Sequence, residues 1–211
     1  MSRYTKYRRY DRIYKQLLSL DTEFEIFNVN QRKILNLGFA PGLWLEYMIQ
    51  KLSSLQNIDE DKISTKCNIL NFDILFKSVP VGTSTIQGNI FSKRSHELVN
   101  QHFKDVSVYE TLKLYNDENL TYFNKEQQEI ALEKIAHTMK IPDYRIDLVL
   151  SDLSPPLPQK SGFYDHTGTN PYLRYNNNKG LNHSILDSKA VFDLGDAANI
   201  LTLGLLKPGG K

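Results

Sequence analysis

The stretch that most constrains this chain runs from Lys33 to Leu55. A short apolar run, Lys33-Ile34-Leu35-Asn36-Leu37, halts at Gly38-Phe39-Ala40-Pro41-Gly42, and a helical pattern follows. Leu45, Met48, Ile49 and Leu52 recur at three- and four-residue intervals, which aligns them on one helix face. Five residues are too few for a stable helix and suit a buried strand. The unit is therefore strand, tight turn, helix. Parallel strands need such crossovers, so the unit predicts an α/β fold.

The rest of the chain continues the alternation. Cys67 to Phe72 reads as a second strand ending at Asp73, Thr83 to Gln87 as a third, and Arg94 to Phe103 as a helix. Lys104 to Pro142 is rich in Glu, Lys, Asn and Gln and has no glycine. It is predicted to be a helical insertion at about 104–142, with Ile130, Leu132, Ile135 and Met139 on its buried side. Ile146 to Leu150 is a buried strand that delivers Ser151 and Asp152 at its C-terminal end. A Gly-, Pro- and Asn-rich loop from Leu153 to His183 follows, and loops of that length are usually functional. Leu186, Ala190, Val191, Leu194, Ala197, Leu201 and Leu205 share the face of a last helix, which Lys207-Pro208-Gly209-Gly210 stops. The expected architecture is a doubly wound, mostly parallel sheet with ligands at the strands' C-terminal ends. Residues 1–30 form a basic N-terminal arm and helix, and 31–211 one domain.

Composition narrows the chemistry. The single cysteine, Cys67, rules out an internal disulfide and a thiolate zinc cluster, and favours a reducing compartment. The five histidines are scattered without ligand spacing, so they are read as surface or loop residues and no metal site is expected. No apolar run approaches the roughly 20 residues of a membrane span. Net charge is only +2, but Arg3, Lys6, Arg8, Arg9, Arg12 and Lys15 crowd the first fifteen residues among Tyr4, Tyr7, Tyr10 and Tyr14. Cations can neutralise phosphates while tyrosines stack on unpaired bases. A solvated basic arm, or the remnant of an Arg-rich targeting segment, explains the same pattern.

The glycine turn and the second strand's end point to a ligand. Small residues let the backbone approach it closely, and the following helix N-terminus favours an anionic group. An acid at the position of Asp73 commonly hydrogen-bonds ribose hydroxyls, although a strand-end turn residue accounts for it equally well. Together they favour an adenosine-containing cofactor. The Gly-x-x-x-Gly spacing departs from the dinucleotide pattern Gly-x-Gly-x-x-Gly, but the residues alone leave the choice open.

Leu35-Asn36-Leu37-Gly38-Phe39-Ala40-Pro41-Gly42-Leu43-Trp44 resembles the cofactor loop of the FtsJ/RrmJ methyltransferases. Asp147-Leu148-Val149-Leu150-Ser151-Asp152-Leu153 is similar to that family's second hallmark, the strand presenting a catalytic aspartate. Leu205-Leu206-Lys207-Pro208-Gly209-Gly210 resembles the turn before its next strand. The segments Phe72 to Leu75, Thr85 to Leu98 and Pro158 to Phe163 are similar to the fungal mitochondrial branch, which methylates large-subunit ribosomal RNA. The resemblance covers nearly the whole chain.

It implies a Rossmann-like S-adenosylmethionine-dependent fold and transfer of a methyl group to a ribose 2′-hydroxyl, in the mitochondrion, on a uridine of ribosomal RNA. Asp152 would be the aspartate of the family's Lys-Asp-Lys-Glu tetrad and Lys15 its first lysine. Gly38, Ala40, Pro41, Gly42, Trp44, Asp73 and Asn89 would line the cofactor. The pattern departs at two places. The aspartate that opens the family's glycine loop is Asn36 here. The tetrad's second lysine and its glutamate belong to strands after Lys211, so the C-terminal strands are expected to be missing and the 211 residues inactive alone. A tRNA or an mRNA cap as substrate, or a non-catalytic ribosome-assembly factor on the same fold, are the alternatives. Oligomeric state is not legible.

Overall fold

The computed structural model describes residues 3–40, 42–75, 78–113, 142–153, 156–158, 172–174 and 193–211. Four parallel strands make its sheet: β1 (Lys33–Leu37), β2 (Asn68–Asp73), β3 (Ser84–Gln87) and β4 (Leu148–Ser151). Their order is β3-β2-β1-β4, so the chain winds outward from β1 in one direction and then crosses to its other side. That reversal beside β1 opens a crevice at the strands' C-terminal ends.

Strand alternation sends side chains to two faces, and each face has its own helices. Ile34, Ile69, Leu148 and Leu150 pack with Leu45, Met48, Ile49 and Leu52 of α2 (Leu43–Gln56) and with Leu17 of α1 (Arg3–Phe24). Leu35, Leu37, Leu70 and Phe72 pack with Val99 and Phe103 of α3 (Lys93–Lys113) and with Ala197, Ala198 and Leu201 of α4 (Leu194–Leu203). The doubly wound expectation holds. All of the predicted strands form, with small shifts at their ends.

Three boundaries differ from the sequence reading. α3 runs to Lys113 instead of stopping at Phe103, because nothing between them breaks a helix and Phe103 and Ser107 are both buried. Among the described residues the predicted Leu153–His183 loop contains an antiparallel ribbon, β5 (Pro156–Pro158) with β6 (Tyr172–Arg174). The last helix begins at Asp193, whose side chain accepts from the Asp196 amide while Asp196 accepts from the Asp193 amide, a reciprocal cap. Leu186, Ala190 and Val191 lie outside the described residues, as do Ile130, Leu132, Ile135 and Met139.

α1 is fastened to the same core. The Tyr14 ring meets Tyr47 of α2 edge-on at 5.1 Å, its hydroxyl donates to Gln50, and Leu17 is fully buried. Asp21 is also buried, and accepts hydrogen bonds from the Phe27 amide (3.1 Å) and the Tyr47 hydroxyl (3.0 Å) and an ion pair from Lys51 at 2.8 Å. Burial pushes the Asp21 carboxyl up, but Lys51, the Phe27 amide and Tyr47 outweigh it and hold the group below its ordinary value. For Tyr47, burial and then Asp21 push the hydroxyl far above its ordinary range. Tyr14, one of the four tyrosines among the arm's cations, is committed to this contact.

Candidate functional site

The turn after β1 is built on backbone that only glycine adopts cheaply. Gly38 has φ 77° and Gly42, the N-cap of α2, has φ 106°. The Gly38 amide donates to the Phe72 carbonyl at 2.8 Å, which carries the β1–β2 ladder into the turn. Ala40 then donates its amide to Asp73 Oδ2 at 3.0 Å. The other Asp73 oxygen accepts from the Leu75 amide at 2.9 Å. Asp73 is fully buried and spans both turns, after β1 and after β2.

On the other flank of β1, the Asp152 amide donates to the Leu37 carbonyl at 2.9 Å. Asp152 therefore stands beside Gly38, at the crevice between β1 and β4. Gly38, Ala40, Asp73 and Asp152 are thus drawn together by hydrogen bonds that cross three strands. Trp44 follows on the first turn of α2, with its indole in the core and Nε1 buried without a hydrogen-bond partner among the described residues. Pro41 lies outside the described residues. Asn89 is exposed two residues after β3, and its Oδ1 accepts from the Phe91 amide. Lys15 is an exposed residue of α1.

Two contributors escaped the sequence reading: Asn71, which partners the Asn36 already noted as a departure, and Gly88. Asn36 and Asn71 are side by side on β1 and β2, both fully buried. Asn36 Nδ2 donates to Asn71 Oδ1, and Asn71 Nδ2 donates to the Ser84 carbonyl, each at 3.0 Å. This amide ladder fills the place where the resemblance anticipates an aspartate, and leaves Asn36 Oδ1 as a buried acceptor without a partner among the described residues. An asparagine inside an otherwise apolar strand, repeated in the neighbouring strand, was the available signal. The second is Gly88, whose amide donates to the Asp73 carbonyl at 2.9 Å. A Cβ there would stand 2.6 Å from Ser95 Oγ and 3.1 Å from the Phe72 ring, so a side chain at this position requires Ser95 and Phe72 to shift.

Two histidines also depart from the surface reading. His96 Nε2 lies 2.6 Å from the Ile90 carbonyl and His102 Nε2 lies 2.9 Å from Asn68 Oδ1, both from α3. Burial lowers the His102 pKa, which favours the neutral ring. Among the described residues no group of three or more His, Cys, Asp or Glu side chains is arranged to hold a metal ion. No described helix is long and apolar enough to cross a membrane.

A family model, the FtsJ-like methyltransferase, matches residues 11–211. This chain belongs to the FtsJ-like methyltransferase family. It is 28% identical over 224 aligned positions to the mitochondrial rRNA methyltransferase 2 of Saccharomyces cerevisiae, covering 93% of this chain and 64% of that protein. It is 26% identical over 200 positions to a Schizosaccharomyces pombe protein named as a ribosomal RNA methyltransferase, covering 93% of this chain and 60% of that one. The chain thus spans less than two thirds of the length of either relative. A solved ribosomal RNA methyltransferase structure from Plasmodium falciparum matches with TM-score 0.38 and 19% identity over 69% of this chain and 56% of that one, a likeness too partial to bear on the fold.

Proposed function

We propose that this chain supplies the cofactor-binding part and the catalytic aspartate of an S-adenosylmethionine-dependent RNA 2′-O-methyltransferase. Its substrate in this reading is mitochondrial large-subunit ribosomal RNA, modified at a uridine. The observation that carries the reading is the hydrogen bond from the Asp152 amide to Leu37, which sets an aspartate beside the glycine turn of β1. Family membership and the names of both relatives support RNA methylation, and the yeast relative supports a mitochondrial setting.

The residues suit the cofactor's amino-acid end. Gly42 caps α2 without any side-chain hydrogen bond, so the helix's first amides are not taken by a capping side chain and favour a carboxylate. The buried Asn36 Oδ1, without a partner among the described residues, is an acceptor suited to an ammonium group. S-adenosylmethionine, when bound, supplies a methyl group already activated on a positively charged sulfur. What remains for the protein is to align the ribose oxygen with that methyl and to remove the oxygen's proton. In this reading Asp152 orients and electrostatically steadies the proton acceptor, and Lys15 acts beside it. Asp73 keeps the Ala40 amide in place, and in this reading its carboxylate accepts from a ribose hydroxyl of the cofactor.

The test is a methyl-transfer assay on mitochondrial large-subunit ribosomal RNA with the natural full-length protein and its Asp152→Ala variant. The variant is expected to lose about 100-fold or more in kcat while its affinity for S-adenosylmethionine stays within about twofold. Full activity in the variant removes Asp152 from the site. Mapping which RNA loses a 2′-O-methyl group in a deletion strain separates ribosomal RNA from a tRNA or an mRNA cap. Loss of none of them leaves the reading of a non-catalytic assembly factor.

A further inference from the structure

α1 ends in strained backbone that another part of the chain holds. Glu25, the residue after the helix, has φ 47°, a left-handed conformation that a side-chain-bearing residue adopts at a cost. Its amide closes back on the Asp21 carbonyl at 2.9 Å. The last carbonyls then point away from the helix without intrahelical partners. Lys211 supplies one: its Nζ donates to the Phe24 carbonyl at 3.0 Å and to the Glu25 carbonyl at 2.5 Å, across 187 and 186 residues of sequence. A cation at a helix C-terminus is favoured by the helix dipole as well as by these two bonds.

The backbone of Lys211 is fixed independently. Its amide donates to the Asp147 carbonyl at 3.1 Å and its carbonyl accepts from the Val149 amide at 2.9 Å, so Lys211 lies in parallel register beside Leu148. Asp152 is four residues further along β4, about 13 Å at strand rise. That distance excludes Lys211 as a partner of Asp152 in the chemistry, and gives its side chain a different task.

We infer that Lys211 is a positioning residue: it fixes the direction of α1, and with it the basic arm, relative to the strand that presents Asp152. The geometry is that of a lever. Tyr14 and Leu17 attach the middle of α1 to α2, which settles where the helix sits but not its tilt. Phe24 lies ten residues on and Arg3 eleven residues back, each about 15 Å from Tyr14 at helical rise. Restraint at the Phe24 end therefore translates into a similar displacement at the Arg3 end. Asp21 restrains that end against α2, and Lys211 restrains it against β4. The second restraint acts at the end of the helix and refers the arm to the strand of the proposed aspartate.

This inference rests on the reading of the protein as an RNA methyltransferase for its activity measurements, and has one measurement that does not. In the full-length protein, Lys211→Met should raise KM for RNA roughly fivefold, the effect of losing a helix-end cation and its bonds. kcat and affinity for S-adenosylmethionine should stay within about twofold, and Lys211→Arg should recover most of the loss. Lys211→Met combined with Arg8→Ala and Arg12→Ala should raise KM by less than the product of the separate effects, because a misdirected arm has less to lose. Hydrogen exchange should quicken at the amides of Glu25 to Phe27 in Lys211→Met, whatever the substrate. An unchanged KM, a multiplicative combination, or unchanged exchange at Glu25 to Phe27 overturns the inference. If the unaltered protein methylates no RNA while exchange still quickens, the methyltransferase reading fails and the clamp stands.

Discussion

β4 is bordered by an aspartate on each side, and the two have opposite surroundings. Asp147, before the strand, is buried and fully engaged: its Oδ2 accepts from the Arg32 amide at 2.6 Å and the Lys33 amide at 2.8 Å, and its Oδ1 pairs with Lys207. Asp152, after the strand, is half-buried at the crevice, where its backbone is tied to Leu37. Burial pushes the Asp147 carboxyl up, but Lys207 and the two amides more than reverse this and hold it below its ordinary value. One end of the strand uses an acid to lock β1, β4 and the segment after α4 together. The other holds a half-buried acid at the C-terminal end of the strand, the side on which ligands gather in such sheets. Residue type alone does not distinguish them; position along a parallel strand does, because ligands gather at C-terminal ends.

The largest effect that would separate the two ends is on stability. Asp147→Ala strands two partly buried amides and releases Lys207, and should cost about 2 to 4 kcal/mol, read as a lower urea midpoint. Cofactor affinity of the molecules that remain folded should not change. A midpoint close to that of the unaltered protein would mean that the lock contributes little.

Next comes the ligand end. Asp73→Ala removes the acceptor for Ala40 and Leu75, and should weaken S-adenosylmethionine binding by about 1 to 3 kcal/mol in titration calorimetry. Undiminished affinity would leave Asp73 as a turn-former alone. This substitution should also lower the urea midpoint, because the Ala40 and Leu75 amides lose their acceptor, whereas Asp147→Ala should move the midpoint alone.

Acid provides a smaller and graded comparison. Asp147 and Asp21 have depressed values when folded, so their contribution is complete above the ordinary carboxylate value of 3.8 and is lost as pH falls toward the depressed folded values. The urea midpoint should decline below about pH 4, and Asp147→Asn should flatten that decline. An equal slope in the variant would assign the acid sensitivity to other groups.

The smallest effect concerns α1. Deleting Met1 to Arg9 should weaken RNA binding and reduce its salt dependence, by a slope of about 0.7 for each phosphate of a single-stranded RNA that the arm no longer neutralises. Cofactor binding should be retained. An unchanged slope would return the arm to a solvated or targeting role.

The local code of this protein was legible in its sequence. Ile34, Leu35 and Leu37 with the glycines at 38 and 42 specify strand, turn and helix, because positive φ at those glycines and apolar spacing after them leave little alternative. The order of elements then predicts a parallel, doubly wound sheet, and the motifs around Gly38 and Asp152 carry the family. Tertiary structure decided how the acids and amides are used. Asp73 bonds to Ala40 and Asp147 to Arg32 and Lys33 because β1, β2 and β4 lie side by side, although 33 to 115 residues separate the partners in sequence. Asn36 finds Asn71 only through the β1–β2 register, and Lys211 reaches the end of α1 only once the sheet and the helix are both in place. Periodicity records which side of an element is apolar, whereas a hydrogen bond between distant residues depends on a register and a packing angle that no local pattern contains.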